Sequence, residues 1–80
     1  MQIRLSRKAQ KYYERAPKNL QNHFDECFED ITKLNGDIVR LKGSKFQFRY
    51  KTYHYRIIFE IDIERNEIQI SDIGPRGDIY

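Results

Sequence analysis

Between Asp37 and Glu60 the chain carries no acidic residue, yet this stretch holds Arg40, Lys42, Lys45, Arg49, Lys51 and Arg56 together with His54. Six of the fifteen lysines and arginines therefore fall where none of the twelve acids does. Such a run reads in two ways: a solvated outer face whose lysines protect a sheet edge, or a face that binds a polyanion. Arginine stays protonated, so it is a poor proton shuttle. It grips a phosphodiester through a planar fork and stabilises charge that grows there in a transition state. The stretch has no carboxylate pair and no His/Asp/Glu group at ligand spacing, which argues against two-metal phosphodiester hydrolysis. What remains is cleavage of RNA by its own 2′-hydroxyl, a reaction that needs charge stabilisation and proton transfer but no metal and no cofactor.

The elements that must position these groups follow from hydropathy patterning. Gln2 to Leu5 alternates and reads as a short strand. Ser6 is a good N-cap, with a helix expected over Arg7 to Arg15. Pro17 suits the first position of a second helix, where its missing N–H costs nothing. In that helix Leu20, Phe24, Cys27, Phe28, Ile31 and Leu34 form one apolar stripe, and Asn35-Gly36 supplies the stop. From Ile38 the period changes to two, with Val39 and Leu41 alternating with Arg40 and Lys42. Gly43-Ser44 turns the chain, Phe46, Phe48 and Tyr50 mark the next strand, and Tyr55, Ile57, Phe59 and Ile61 the one after. Arg65-Asn66 sits in a turn, Ile68 and Ile70 open a last strand, and Gly74-Pro75 ends it. The expected fold is α+β: two N-terminal helices packed on one face of a mostly antiparallel four-stranded sheet.

Register then places the cations. Opposing the apolar residues of the two central strands sets Phe46 against Phe59, Phe48 against Ile57 and Tyr50 against Tyr55. On the other face it sets Arg49 opposite Arg56. Like charges in that position destabilise a sheet, and an anion between the two guanidiniums removes the conflict. A turn centred near Glu64-Arg65 makes Ile61 face Ile68 and Phe59 face Ile70, and brings Ile73 near Arg56. Arg76 then emerges just beyond that end of the sheet, with Tyr80 four residues later on a short tail.

Eighty residues make one domain, 1–80, and the net charge of +3 is mildly basic. A single cysteine, Cys27, allows no internal disulfide and reads as a core thiol. No apolar run approaches the roughly 18 residues of a membrane span. Met1-Gln2-Ile3-Arg4 opens without a signal-peptide core, so a soluble cytoplasmic protein is expected. Tyr12 and Tyr13 read as packing residues, His23 as an inert helix flank, and His54, beside a turn, first as a surface residue.

With these residues in place the chain resembles the RelE/ParE toxin superfamily over nearly its whole length. The resemblance rests on Leu41-Lys42-Gly43, Phe48-Arg49-Tyr50, Tyr55-Arg56-Ile57-Ile58-Phe59 and Ile73-Gly74-Pro75-Arg76-Gly77-Asp78-Ile79-Tyr80, in that order after two helices. Individually these motifs are weak; their order and spacing are more specific. The resemblance implies a toxin held by a cognate antitoxin and acting on the ribosome as a metal-free endoribonuclease of mRNA. It implies that Arg56 and Arg76 hold the scissile phosphate, that Tyr80 stacks on the cut nucleotide, and that Arg49 assists. The family's basic pair, two residues apart, falls at Gln47 and Arg49. Gln47 departs from it and cannot act as a general base, which leaves Lys45, Lys51 or His54 for proton transfer. Lys42, Lys45, Gln47, Lys51 and His54 are expected to contact RNA. Two alternatives stay open: a ParE-like inhibitor of DNA gyrase, which would act by protein binding, and an RNA-binding toxin homologue without catalysis.

Overall fold

Ser6 leaves the first strand with extended dihedrals, φ −63° and ψ 164°, and its hydroxyl accepts the Ala9 N–H at 3.1 Å. That bond satisfies one of the free donors at the start of helix α1 (Arg7–Arg15). Residues 1–41, 43, 46–52 and 54–75 are described by this structure, a computed structural model. Pro17 stands at the N-cap of helix α2 (Lys18–Thr32), one position earlier than expected. With ψ near 159° it is extended rather than helical, and its carbonyl accepts from Leu20 and Gln21. The apolar stripe of α2 buries Phe24, Cys27 and Ile31, with Leu20 and Phe28 packed partly against them. Leu34 is a correction: it adopts φ 55° just past the helix and is 58% exposed. The left-handed residue that ends the helix is thus Leu34, followed by Gly36 at φ 96°. Gly36 is also a close approach, because a Cβ there would lie 2.9 Å from the Tyr50 ring.

Among the described residues five strands form one sheet, not four. They are β1 (Gln2–Leu5), β2 (Asp37–Arg40), β3 (Gln47–Lys51), β4 (Tyr55–Asp62) and β5 (Glu67–Pro75), in the order β1-β5-β4-β3-β2. Every neighbouring pair is antiparallel except β1 with β5. The helices cover one face, where Ala9, Phe24, Cys27 and Ile31 meet Tyr50, Ile57, Phe59, Ile68, Ile70 and Ile73. Tyr12 and Tyr13 pack their rings about 6 Å from Phe24, as packing residues do. No helix among the described residues is long and apolar enough to cross a membrane.

Three registers differ from expectation. In the β3–β4 hairpin Phe48 faces Phe59, Tyr50 faces Ile57, and Arg49 faces Ile58, a slide of two residues along the partner strand. The ladder reaches one residue further along β3 than expected: Lys51 pairs with Arg56, and the Thr52 N–H donates to the Tyr55 carbonyl at 2.9 Å. This register stacks Phe48 on Phe59 with centroids 5.4 Å apart, and leaves Phe46 55% exposed. Between β4 and β5 the expected pairs Ile61–Ile68 and Phe59–Ile70 form, but the register then shifts. Ile58 faces Asp72, so Ser71 is the extra residue of a bulge, and Gly74 rather than Ile73 faces Arg56. In β2 it is Ile38, opposite Tyr50, that turns inward, while Val39 is 46% exposed on the other face.

Candidate functional site

Alternation along each strand sends Arg49, Lys51 and Arg56 to the sheet face that the helices leave open. Two rows cross the middle of that face. One runs Asp37, Lys51, Arg56, Gly74; the next runs Val39, Arg49, Ile58, Asp72. Ile58 is 8% exposed and forms an apolar floor between the cations. Three cations thus share this patch with two carboxylates. The acid-free run of the sequence does not survive folding: Asp37 and Asp72 arrive from either side of it. The opposed like charges are Lys51 and Arg56, not Arg49 and Arg56.

Arg56 is the most constrained of these groups. It is 6% exposed, a rare state for arginine. Its Nη1 donates to Asp72 Oδ2 at 3.4 Å, and its buried Nε has no hydrogen-bond partner among the described residues. The guanidinium lies against Gly74, where a Cβ would come within 3.1 Å of Nη1. A Cβ at position 74 would therefore crowd the guanidinium tip, which would have to give by a few tenths of an ångström. Asp72 also reaches Lys8 of α1, with Oδ1 3.5 Å from Nζ. Arg49 pairs with Asp37 at 3.8 Å across the β2–β3 ladder.

The strand that carries Arg49 and Lys51 is anchored from the helix side. The Tyr50 hydroxyl donates to Asp30 Oδ2 at 3.0 Å, and His23 Nε2 lies 2.9 Å from Thr52 Oγ1 just past the strand end. Burial is the main cause that raises the Tyr50 pKa above its usual value, helped by the nearby Cys27 and Asp30. Burial likewise raises the Cys27 thiol, so it stays protonated and unreactive. His23 is therefore a tether between α2 and β3 rather than an idle flank.

Gln47, Arg49, Lys51 and Arg56 are brought onto one face. His54 is exposed and instead lines a cleft of about 320 Å³ with Asn19, Leu20, His23 and Tyr55. Lys42, Lys45, Arg76 and Tyr80 lie outside the described residues. Sequence reasoning missed Asp37, Asp72 and Lys8. No local signal marks them, since their roles depend on pairings between residues far apart in the chain. Among the described residues no three His, Cys, Asp or Glu side chains stand close enough to hold a metal ion. The charged groups that the described part of this face does bring together are Arg49, Lys51 and Arg56 with Asp37 and Asp72.

No known sequence family and no curated protein matches the chain by sequence. Solved structures do match its fold. RelE in the archaeal RelE–RelB complex from Pyrococcus horikoshii OT3 superposes with a TM-score of 0.76 at 24% identity over 96% of both chains. The isolated RelE toxin of E. coli gives 0.76 at 14% identity, over 99% of this chain and 89% of that one. The RelB–RelE antitoxin–toxin complex from Methanococcus jannaschii gives 0.71 at 20% identity over 96% and 94%. The chain has the RelE fold.

Proposed function

We propose that this chain is the toxin of a toxin–antitoxin pair, and that it cleaves mRNA on the ribosome without a metal. The observation that carries the reading is Arg56, buried on the open face of a RelE fold beside Lys51 and Arg49. Stability alone gives little reason to bury a guanidinium that, among the described residues, has one long hydrogen bond and an unsatisfied Nε. A phosphodiester would supply acceptors to this guanidinium beyond those the described residues offer. In this reading Arg56 and Arg76 grip the scissile phosphate, Arg49 and Lys51 add positive charge, and Tyr80 stacks on a base. The 2′-hydroxyl gives up its proton to a base as its oxygen bonds to phosphorus, the bond from phosphorus to the 5′-oxygen breaks, a 2′,3′-cyclic phosphate forms, and the 5′-oxygen takes a proton from an acid. Of the candidates for proton transfer, Lys51 is the one set directly opposite Arg56. Orientation of the message by the ribosome supplies part of the rate, worth several kcal/mol in comparable cases. A RelB-like antitoxin would be the protein partner, as in the complexes that share the fold.

A second reading, an RNA-binding homologue without catalysis, draws on two features. Gln47 cannot take a proton, and both central arginines already face carboxylates. One experiment separates the readings: toe-printing of a translated message with and without the protein. Discrete new ends at the ribosomal A site, lost in Arg56→Ala, support the nuclease. Stalled ribosomes with intact message support the binding homologue, and gyrase-linked DNA breaks in treated cells would support neither.

A further inference from the structure

If the face around Arg56 binds phosphate, as proposed above, Asp72 is a carboxylate inside that site, where it ought to repel the substrate. Its two oxygens serve different cations: Oδ2 takes Arg56 Nη1 at 3.4 Å, and Oδ1 faces Lys8 Nζ at 3.5 Å. The two partners differ in burial, with the Lys8 side chain 77% exposed and Arg56 almost wholly enclosed. The Ser71 bulge turns this stretch of β5, and Ser6 Oγ, at the start of α1, donates to the Ser71 carbonyl at 2.9 Å. The bulge thus holds Asp72 between the α1 N-terminus and the sheet face.

We propose that Asp72 is a displaceable counter-ion that gates Arg56. In the free protein it neutralises the buried guanidinium and holds it against Gly74. An incoming phosphate exchanges for the carboxylate at Arg56, and Asp72 keeps Lys8 as its partner, so no carboxylate is left without a cation. The gate lowers affinity for stray polyanions, because each must first break an existing ion pair. It rests on the reading of Arg56 as a phosphate ligand, and the test below separates the two.

The probe is a short fluorescent RNA with 2′-O-methyl groups, which cannot be cleaved, followed by anisotropy. Asp72→Asn keeps the shape and removes the charge; it binds the probe about tenfold more tightly than the parent. It also melts at a lower temperature, because Arg56 loses its counter-ion. Lys8→Ala weakens binding in the parent but has little effect in Asp72→Asn, because Lys8 acts through Asp72. Equal or weaker binding by folded Asp72→Asn, or additive effects of the two substitutions, overturns the gate. If Asp72→Asn does not fold, NMR of the parent decides: saturation with probe shifts both the Asp72 carboxylate carbon and the Arg56 Nε–H, and a fixed Asp72 signal overturns the proposal. Arg56→Ala tests the parent reading separately. If that variant binds the probe as well as wild type, the phosphate assignment itself fails.

Discussion

Arg56→Met separates function from stability at the centre of the site. Methionine is long and flexible enough to fill the space beside Gly74 without a charge. Removing the guanidinium removes a buried Nε that lacks a partner among the described residues, a defect that costs about 1–3 kcal/mol. It also removes the 3.4 Å contact to Asp72, but that carboxylate keeps Lys8 at 3.5 Å and is itself partly solvated. Replacing a buried ion by an apolar side chain of similar volume is often neutral or stabilising by about 1–4 kcal/mol. The two effects together leave Arg56→Met between unchanged and about 2 kcal/mol more stable, with about 4–8 °C of melting temperature per kcal/mol for a domain of this size. Cleavage should meanwhile fall by about 10²–10³, the usual loss for one preorganised donor. Calorimetry and toe-printing on the same preparation measure both. A melting temperature lowered by more than about 8 °C would show that Arg56 is a structural residue and would refute this reasoning.

Further outcomes follow from neighbouring contacts. Gly36→Ala combines a φ of 96° with a Cβ 2.9 Å from Tyr50, and should cost about 1–3 kcal/mol in urea melts. Gln47→Lys restores a basic residue opposite Glu60, so it should raise cleavage without loss of stability; an unchanged rate would show that position 47 takes no part in proton transfer. The Tyr50 hydroxyl is held protonated by the fold, so its share of stability is full below the unfolded value near 10 and is lost as pH rises beyond it. Tyr50→Phe should therefore lose about 1 kcal/mol at neutral pH and show a shallower alkaline decline, as read by denaturant titration. Cys27 should resist a thiol reagent at neutral pH until the protein unfolds.

How far the sequence revealed these features depended on the range of the interaction. Ser6 and the stripe from Leu20 to Ile31 are local signals, and α1 and α2 follow them closely. Leu34 misled because a fourth turn of apolar spacing continues past the point where the chain turns left-handed. In β2 two adjacent apolar residues, Ile38 and Val39, gave alternation no basis for choosing a face. The parallel pairing of β1 with β5 joins residues more than sixty positions apart, and nothing near Gln2 or Glu67 announces it.

The cationic face was legible for a different reason. A slide of two residues moves every partner in the β3–β4 ladder but keeps each side chain on its own face. Arg49, Lys51 and Arg56 therefore share the open face even though the residue opposite Arg56 is Lys51 and not Arg49. A slip of one residue has the opposite consequence, and the Ser71 bulge is such a slip, confined to β5. Alternation continued unbroken from Ile68 and Ile70 would have put Asp72 on the helix-covered face and Ile73 on the open one. The bulge reverses both: Ile73 enters the core at 2% exposure, and Asp72 reaches Arg56. One inserted residue thus completes the core and supplies the counter-ion that makes a buried Arg56 tolerable. Deleting Ser71 should break both together, whereas Ser71→Ala, which keeps the residue count and loses only a 3.2 Å hydrogen bond to the Ile58 carbonyl, should leave both in place.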